Sequence, residues 1–176
     1  VDISQIVEEL WAREQIRDCL FRYSRGIDRY DVDLVRSCYH PDAVDEHGVY
    51  NGDLSGFVGL VHRFRGPESE YGLMQHVITN TLIERDGDVA HVESYLYNPL
   101  VGRDPAAGLP DILVGGRFID RFERRAGRWA IAHRRLVCDY CRMAAPTAKM
   151  WEDWAGATVL FGTADAADPL YDSVPR

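Results

Sequence analysis

The hydrophobic period of this chain changes once, near Gln75, and that change constrains its fold more than any other feature. Before it, apolar residues recur at helical spacing. Ile6, Leu10, Ile16, Leu20 and Phe21 recur between Ser4 and Ile27, with Glu8, Glu9, Arg13 and Arg17 between them, which predicts one long amphipathic helix. Ser4 is its expected N-cap, and Gly26 near the far end suits termination. A short second helix is expected over about Val32 to Cys38, stopped by Pro41, because proline lacks the amide hydrogen and clashes with the preceding turn. A third is expected around Leu54 to Phe64, before the loop residues Gly66, Pro67 and Glu68.

Beyond Gln75 the segments His76 to Arg85, Val89 to Leu100, Ile112 to Arg124 and Trp129 to Cys138 are rich in Val, Ile, Tyr and Phe, and turn residues separate them. Asp86-Gly87-Asp88 and Ala126-Gly127-Arg128 read as tight hairpins, so the sheet is expected to be largely antiparallel. The stretch from Gly102 to Asp111, with two prolines and two glycines, reads as a long functional or mobile loop. Helices first and a curled sheet afterwards predict an α+β fold with the helices on one sheet face. The outer face is expected to carry Phe118, Phe122, Trp129 or Ile131, and large exposed apolar patches are rare in monomers, which points to self-association. Residues 1–145 read as one domain and 146–176 as a tail. That tail carries Trp151, Trp154, Leu160 and Phe161, too apolar to stay in water, so Lys149 to Phe161 is expected to cover the pocket mouth or a neighbouring subunit.

Composition narrows the function. The chain has 176 residues, 46% hydrophobic and 27% charged, which fits one globular domain able to bury a core and a pocket without disulfides. A net charge of -8 argues against a nucleic-acid partner, since phosphate binding rests on clustered Lys and Arg. The arginine-dense run Arg121, Arg124, Arg125, Arg128, Arg134 and Arg135 falls on a predicted hairpin and reads mostly as a solvated sheet face. No segment approaches the ~20 consecutive apolar residues of a membrane span. The first residues, with Asp2, Glu8 and Glu9, lack the basic-then-apolar order of a secretory signal, so a cytoplasmic location is expected. Cys19, Cys38, Cys138 and Cys141 contain one CxxC without a second ligand pair, and reduced, partly buried thiols are expected rather than a metal or redox site.

Several phrases carry a resemblance. Tyr23-Ser24-Arg25-Gly26-Ile27-Asp28, then Tyr39-His40-Pro41-Asp42-Ala43, the lone His76, and Gly115-Gly116-Arg117-Phe118-Ile119-Asp120-Arg121-Phe122-Glu123-Arg124-Arg125 closing on Gly127-Arg128-Trp129 follow in a characteristic order over about residues 5 to 142. Together they resemble the polyketide-cyclase-like (SnoaL-like) branch of the nuclear transport factor two superfamily, which includes scytalone dehydratase, hexachlorocyclohexane dehydrochlorinase and bile-acid 7α-dehydratase. The resemblance implies a cone-shaped, mostly antiparallel cystatin-like roll with N-terminal helices on its concave face, enclosing a pocket. It also implies a homotrimer that needs no cofactor or metal.

In those lyases an aspartate late in the first helix and a histidine opening a strand form the catalytic pair, and Asp28 and His76 match these positions. The bile-acid enzyme adds a tyrosine and a last-strand arginine, which map to Tyr23 and Arg134. Strand alternation alone does not choose between Arg134 and Arg135, whereas alignment through Gly127 and Trp129 favours Arg134. On this reading His76 is the base, matched to neutral pH by its ordinary imidazole, and Asp28 fixes its tautomer. Tyr23 donates to a departing oxygen or a carbonyl, and Arg134 holds an anionic group. Each residue also has a bland role: Asp28 as a solvated cap, His76 as a satisfied strand histidine, Tyr23 as core. Tyr39, Tyr50, Tyr95 and Tyr97 are pocket candidates or ordinary core, and His40, His47, His62, His91 and His133 show no ligand spacing. The implied function is a lyase, first of all a dehydratase, acting on a small hydrophobic ring compound such as a steroid, polyketide or aromatic alcohol. The alternatives are an isomerase or hydrolase on the same scaffold, or a non-catalytic partner like the β subunits of ring-hydroxylating dioxygenases or a plain ligand-binding protein.

Overall fold

The computed structural model describes residues 2–146, 162–165 and 167–172. It begins with helix α1, Ile3–Asp28, whose N-cap is Asp2 rather than Ser4. The Asp2 carboxylate accepts from both the backbone N and the hydroxyl of Ser4, so the acidic side chain takes the capping role two residues earlier. The buried face of α1 runs through Ala12, Ile16, Cys19, Leu20, Tyr23 and Ile27. Ile6, Leu10 and Phe21, expected on that stripe, are exposed with Ile3, Val7 and Trp11. They share helical spacing with one another, but lie on the side of the helix turned away from the sheet.

Gly26 does not end α1, which continues to Asp28. A Cβ on Gly26 would lie 2.8 Å from Val35 Cγ2, so glycine is there to admit the next helix, α2 (Val32–Ser37), against the first. The chain reverses at Tyr30, in the left-handed region at φ 53°, and Asp31 caps α2 by accepting from Leu34 N. It then enters strand β1, Tyr39–Glu46, in which Pro41 sits at a break in the pairing register, a place where a missing amide hydrogen costs no ladder bond. Strand β2, Asn51–Asp53, leads directly into α3, Leu54–Arg65, capped by Asp53 through Gly56 N.

Four further segments of the sheet follow the helices: β3 (Tyr71–Met74) and β4 (Val77–Asp86), then the long strands β5 (Val89–Gly102) and β6 (Asp111–Arg125). Strand β7 (Arg128–Ala144) closes it. The order is β2-β1-β7-β6-β5-β3, with β4 also paired to β5. All pairings are antiparallel except β1 with β7, which makes the curled sheet mixed. The fold is the expected α+β half-barrel. The β6–β7 turn places Ala126 and Gly127 at φ 50° and 79°, the twist that two-residue hairpins prefer.

Phe118, Phe122, Trp129 and Ile131 are buried, so the expectation that they occupy the outer face is overturned. Alternation along β6 puts Phe118, Asp120 and Phe122 inward against the helices and Arg117, Ile119 and Arg121 outward. A shift in register between Arg121 and Phe122 carries the inward phase onto Ile131 of β7. The outer face instead exposes Tyr95, Tyr97, Ile119 and Tyr140, with Arg117 bridging Glu93 and Asp139. Most of the arginine-dense hairpin is indeed solvated: Arg124 pairs with Asp88, Arg125 with Asp42 and Arg135 with Glu46. Of the thiols, Cys19 and Cys38 are buried in the core, while Cys138 and Cys141 are exposed rather than partly buried. Residues 167–172 lie at the end of α1, where Asp168 pairs with Arg29 at 2.9 Å. The lid expected over Lys149 to Phe161 falls outside the described residues.

Candidate active site

Between β3 and β4 the chain steps across a gap of two residues, Gln75 and His76, while both strands stay paired to β5. Gln75 N donates to Pro99 O, and the step turns His76 inward toward the end of α1. There His76 Nδ1 lies 2.7 Å from Asp28 Oδ1, and the His76 backbone N donates to the same carboxylate at 2.9 and 3.1 Å. An ionised carboxylate only accepts, so Nδ1 carries the proton and Nε2 keeps its lone pair. That nitrogen faces Asn98 Nδ2 at 3.4 Å, and Asn98 Oδ1 has no partner among the described residues. The side chains are 5% exposed for His76 and 14% for Asp28, which places the pair out of bulk water.

Arg65, the last residue of α3, holds Asp28 from the other side. Its Nε donates to Ile27 O at 3.2 Å and its Nη2 to Asp28 O at 3.0 Å, adding charged donors to the last carbonyls of α1. Burial pulls the Arg65 guanidinium below its usual value and the Asp28 charge opposes that pull, so the cation and the carboxylate stabilise each other.

These groups open on an apolar cavity of about 240 Å³ walled by Phe57, Leu96, Leu100 and Leu136, with Tyr23, His47, Arg65, His76 and Asn98 as its polar members. Tyr23 meets the His76 ring edge-on at 6.0 Å and stacks on Phe57. Burial pushes its phenol above the usual value against the pull of Arg134, so at neutral pH it is a hydrogen-bond donor. Tyr39, Tyr50, Tyr95 and Tyr97 are not among the lining residues. The phase of β5 turns Leu96 and Asn98 inward and leaves Tyr95 and Tyr97 outside.

The choice between the two arginines is plain in the structure: Arg134 is inside and Arg135 is outside. Arg134 nonetheless stands one layer behind the cavity wall. Its Nε and Nη2 make a bidentate pair with Asp120 at 2.8 and 2.7 Å, and its guanidinium lies 4.1 Å from the Tyr23 ring centre and 3.9 Å from that of Phe118. Its charge is already matched by Asp120, so it supports Tyr23 rather than lining the cavity.

The structure thus brings Asp28, His76 and Tyr23 together and adds two cavity residues that the sequence did not single out, Arg65 and Asn98, and a third, His47, that had shown only the lack of a ligand spacing. Asn98 had a faint signal, a polar residue on the inward phase of an aromatic strand. Arg65 looked like an ordinary cation in the last turn of α3. Among the described residues, no group of three or more His, Cys, Asp and Glu is placed to hold a metal ion, and no helix is long and apolar enough to cross a membrane.

Comparison with known proteins supports the same architecture. A hexachlorocyclohexane dehydrochlorinase, LinA type 2, superposes with a TM-score of 0.71 at 20% identity, over 81% of this chain and 96% of that one. A scytalone dehydratase-like protein from Novosphingobium aromaticivorans gives a TM-score of 0.67 at 17% identity, over 80% and 96%. A protein of unknown function with a cystatin-like fold from Nostoc punctiforme gives 0.59 at 18% identity, over 72% and 90%. At these identities the likeness shows the fold. No curated protein matches the chain by sequence. The model of the SnoaL-like domain matches residues 8–135, so this chain belongs to the SnoaL-like family of the nuclear transport factor two superfamily.

Proposed function

We propose that the protein is a cofactor-independent lyase, in the first place a dehydratase, that eliminates a leaving group from a small hydrophobic ring compound. The observation that carries this reading is the Asp28–His76 pair, with Nδ1 tied to a carboxylate and Nε2 beside Asn98 in the wall of an apolar cavity. The SnoaL-like family and the dehydrochlorinase and dehydratase-like neighbours support a scaffold for small-molecule lyase or isomerase chemistry. An apolar cavity of about 150 Å³ accommodates benzene, so 240 Å³ suits a ligand of one to two rings.

His76 Nε2 takes a proton from carbon, the C–H electrons form the new double bond, and the leaving group departs with its bonding pair from the adjacent atom. Asp28 holds the imidazolium that forms, which is where a carboxylate-backed histidine gains most over a free one. Tyr23 donates to negative charge developing on the ring compound. Arg134 and Asp120 keep Tyr23 in place. The buried pair disfavours the non-catalytic readings, since a structural subunit gains nothing from enclosing a carboxylate and an imidazole beside an apolar void.

The test uses nitrobenzisoxazole, a flat apolar probe that opens to a cyanophenol when a base removes the one proton of its isoxazole ring and the N–O bond breaks. The wild-type protein should catalyse this opening without added metal, nucleotide or flavin, and His76→Gln should abolish it. Turnover no faster than buffer, or an active His76→Gln variant, overturns the proposal.

A further inference from the structure

The cavity holds a second histidine backed by a carboxylate, His47, in the turn that follows β1. Asp45 points inward from that strand and is 1% exposed. Its Oδ1 lies 2.7 Å from His47 Nδ1, and its Oδ2 accepts from the Tyr39 hydroxyl at 2.7 Å. Burial, and then the Asp45 charge, push the Tyr39 phenol far up, so Tyr39 stays a donor and its hydroxyl stabilises the carboxylate. With Nδ1 donating to Asp45, the proton chemistry of His47 is left to Nε2, which makes no hydrogen bond among the described residues. The ring is held by Phe57 at 5.1 Å and Phe118 at 5.9 Å, and it lines the same cavity as His76. Tyr23 reaches both neighbourhoods, edge-on to His76 and stacked on the Phe57 that packs against His47. The charged and titratable groups around His47 are Asp45 and Tyr39 from β1, Asp120 from β6, Arg134 from β7 and Tyr23 from α1.

We infer that His47 is the general acid of the site, giving its Nε2 proton to the leaving oxygen while His76 removes the proton from carbon. This rests on the elimination proposed above and supplies the group it lacked, because an oxygen that departs with its electron pair needs a proton unless it is a very weak base. In one turnover the C–H proton moves to His76, the C–H pair becomes the new π bond, the bond to oxygen breaks with its pair on oxygen, and the His47 proton completes the hydroxyl. His76 ends as imidazolium and His47 as neutral imidazole. One proton passed from His76 to solvent and one from solvent to His47 restore the starting state, with no oxidant or reductant. The substrate class narrows to ring compounds with an oxygen leaving group, since a halide would leave His47 without a role.

The test is a series of benzisoxazoles whose ring substituents change only the basicity of the departing phenolate. Wild-type rates should depend weakly on that basicity. In His47→Gln, which retains a donor for Asp45, the nitro-substituted member should react at nearly the wild-type rate and the unsubstituted member should slow by about 100-fold or more, the range general acids supply. A uniform loss across the series would mean that His47 only supports the wall, and no loss would mean it is idle; either overturns the inference while leaving the His76 proposal standing. Loss of all turnover in His76→Gln but not in His47→Gln separates the two claims. A second measurement needs no variant: phenacyl bromide, an apolar alkylating probe, should modify Nε2 of His76, which keeps its lone pair, and spare His47 while its Nε2 carries the proton to be donated, and modification of both at the same rate overturns the inference.

Discussion

Replacing Asp120 by Asn removes one partner of the ion pair behind the site while keeping its shape. Asp120 and Arg134 face each other across β6 and β7, their side chains are 0% exposed, and two hydrogen bonds of 2.7 and 2.8 Å join them. The guanidinium is flanked by the Tyr23 and Phe118 rings, so no water is available to take over from the lost carboxylate. Stranding a buried charge in this way costs about 3–5 kcal/mol, a large part of the roughly 5–15 kcal/mol that hold a domain together. With a urea dependence of about 2 kcal/mol per molar, the unfolding midpoint of Asp120→Asn should fall by about 1.5–2.5 M. Arg134→Met should cost at least as much, because it leaves the buried carboxylate of Asp120 without its cation. The double variant Arg134→Met, Asp120→Leu strands neither partner and should recover most of the loss. Equilibrium urea unfolding followed by circular dichroism reads all of these. A loss below about 1 kcal/mol in Asp120→Asn, or a double variant no more stable than either single one, would refute the reasoning.

Asp28→Asn should keep the fold but lower benzisoxazole turnover by about 100- to 10,000-fold with little change in KM, because it offers His76 the wrong tautomer; steady-state kinetics checks this. Tyr23 and Tyr39 are raised chiefly by burial, so the fold favours their neutral forms and that stability is full below about pH 10 and lost as pH rises further. Of the nine tyrosines, these two should form phenolate only together with cooperative unfolding, seen by absorbance and circular dichroism in an alkaline titration. Gly26→Ala should destabilise by about 1–3 kcal/mol despite alanine's better helix propensity, because its methyl would press on Val35 of α2. Self-association, with a trimer expected, should bury the outer-face Tyr95, Tyr97 and Ile119, and a monomer at micromolar concentration in sedimentation would refute it.

How much of this was legible beforehand follows from how far each signal reaches along the chain. The three helices, the four long strands and the two hairpin turns were readable from period and turn residues, because those are properties of a short window of backbone. The short strands Asn51–Asp53 and Tyr71–Met74 carry too few residues to show a period, and Tyr39–Glu46, with a proline inside it, carried a turn signal instead. The positions of Asp28 and His76 came from the resemblance, while their contact came from the step between β3 and β4.

Phase was the recurrent failure. A stripe on a helix or an alternation on a strand can face either way, so Ile6, Leu10 and Phe21 were expected inside and Phe118, Phe122, Trp129 and Ile131 outside, and both expectations were reversed. The sequence by itself determined the α+β class, the element order and the residue types that an acid–base site needs. Only the tertiary structure decided which face of each element was buried, that Arg134 would be paired with Asp120, and that His47, backed by Asp45, would line the same cavity as His76. Those outcomes depend on pairing between residues far apart in the chain, where a shift of one position turns every side chain to the opposite face.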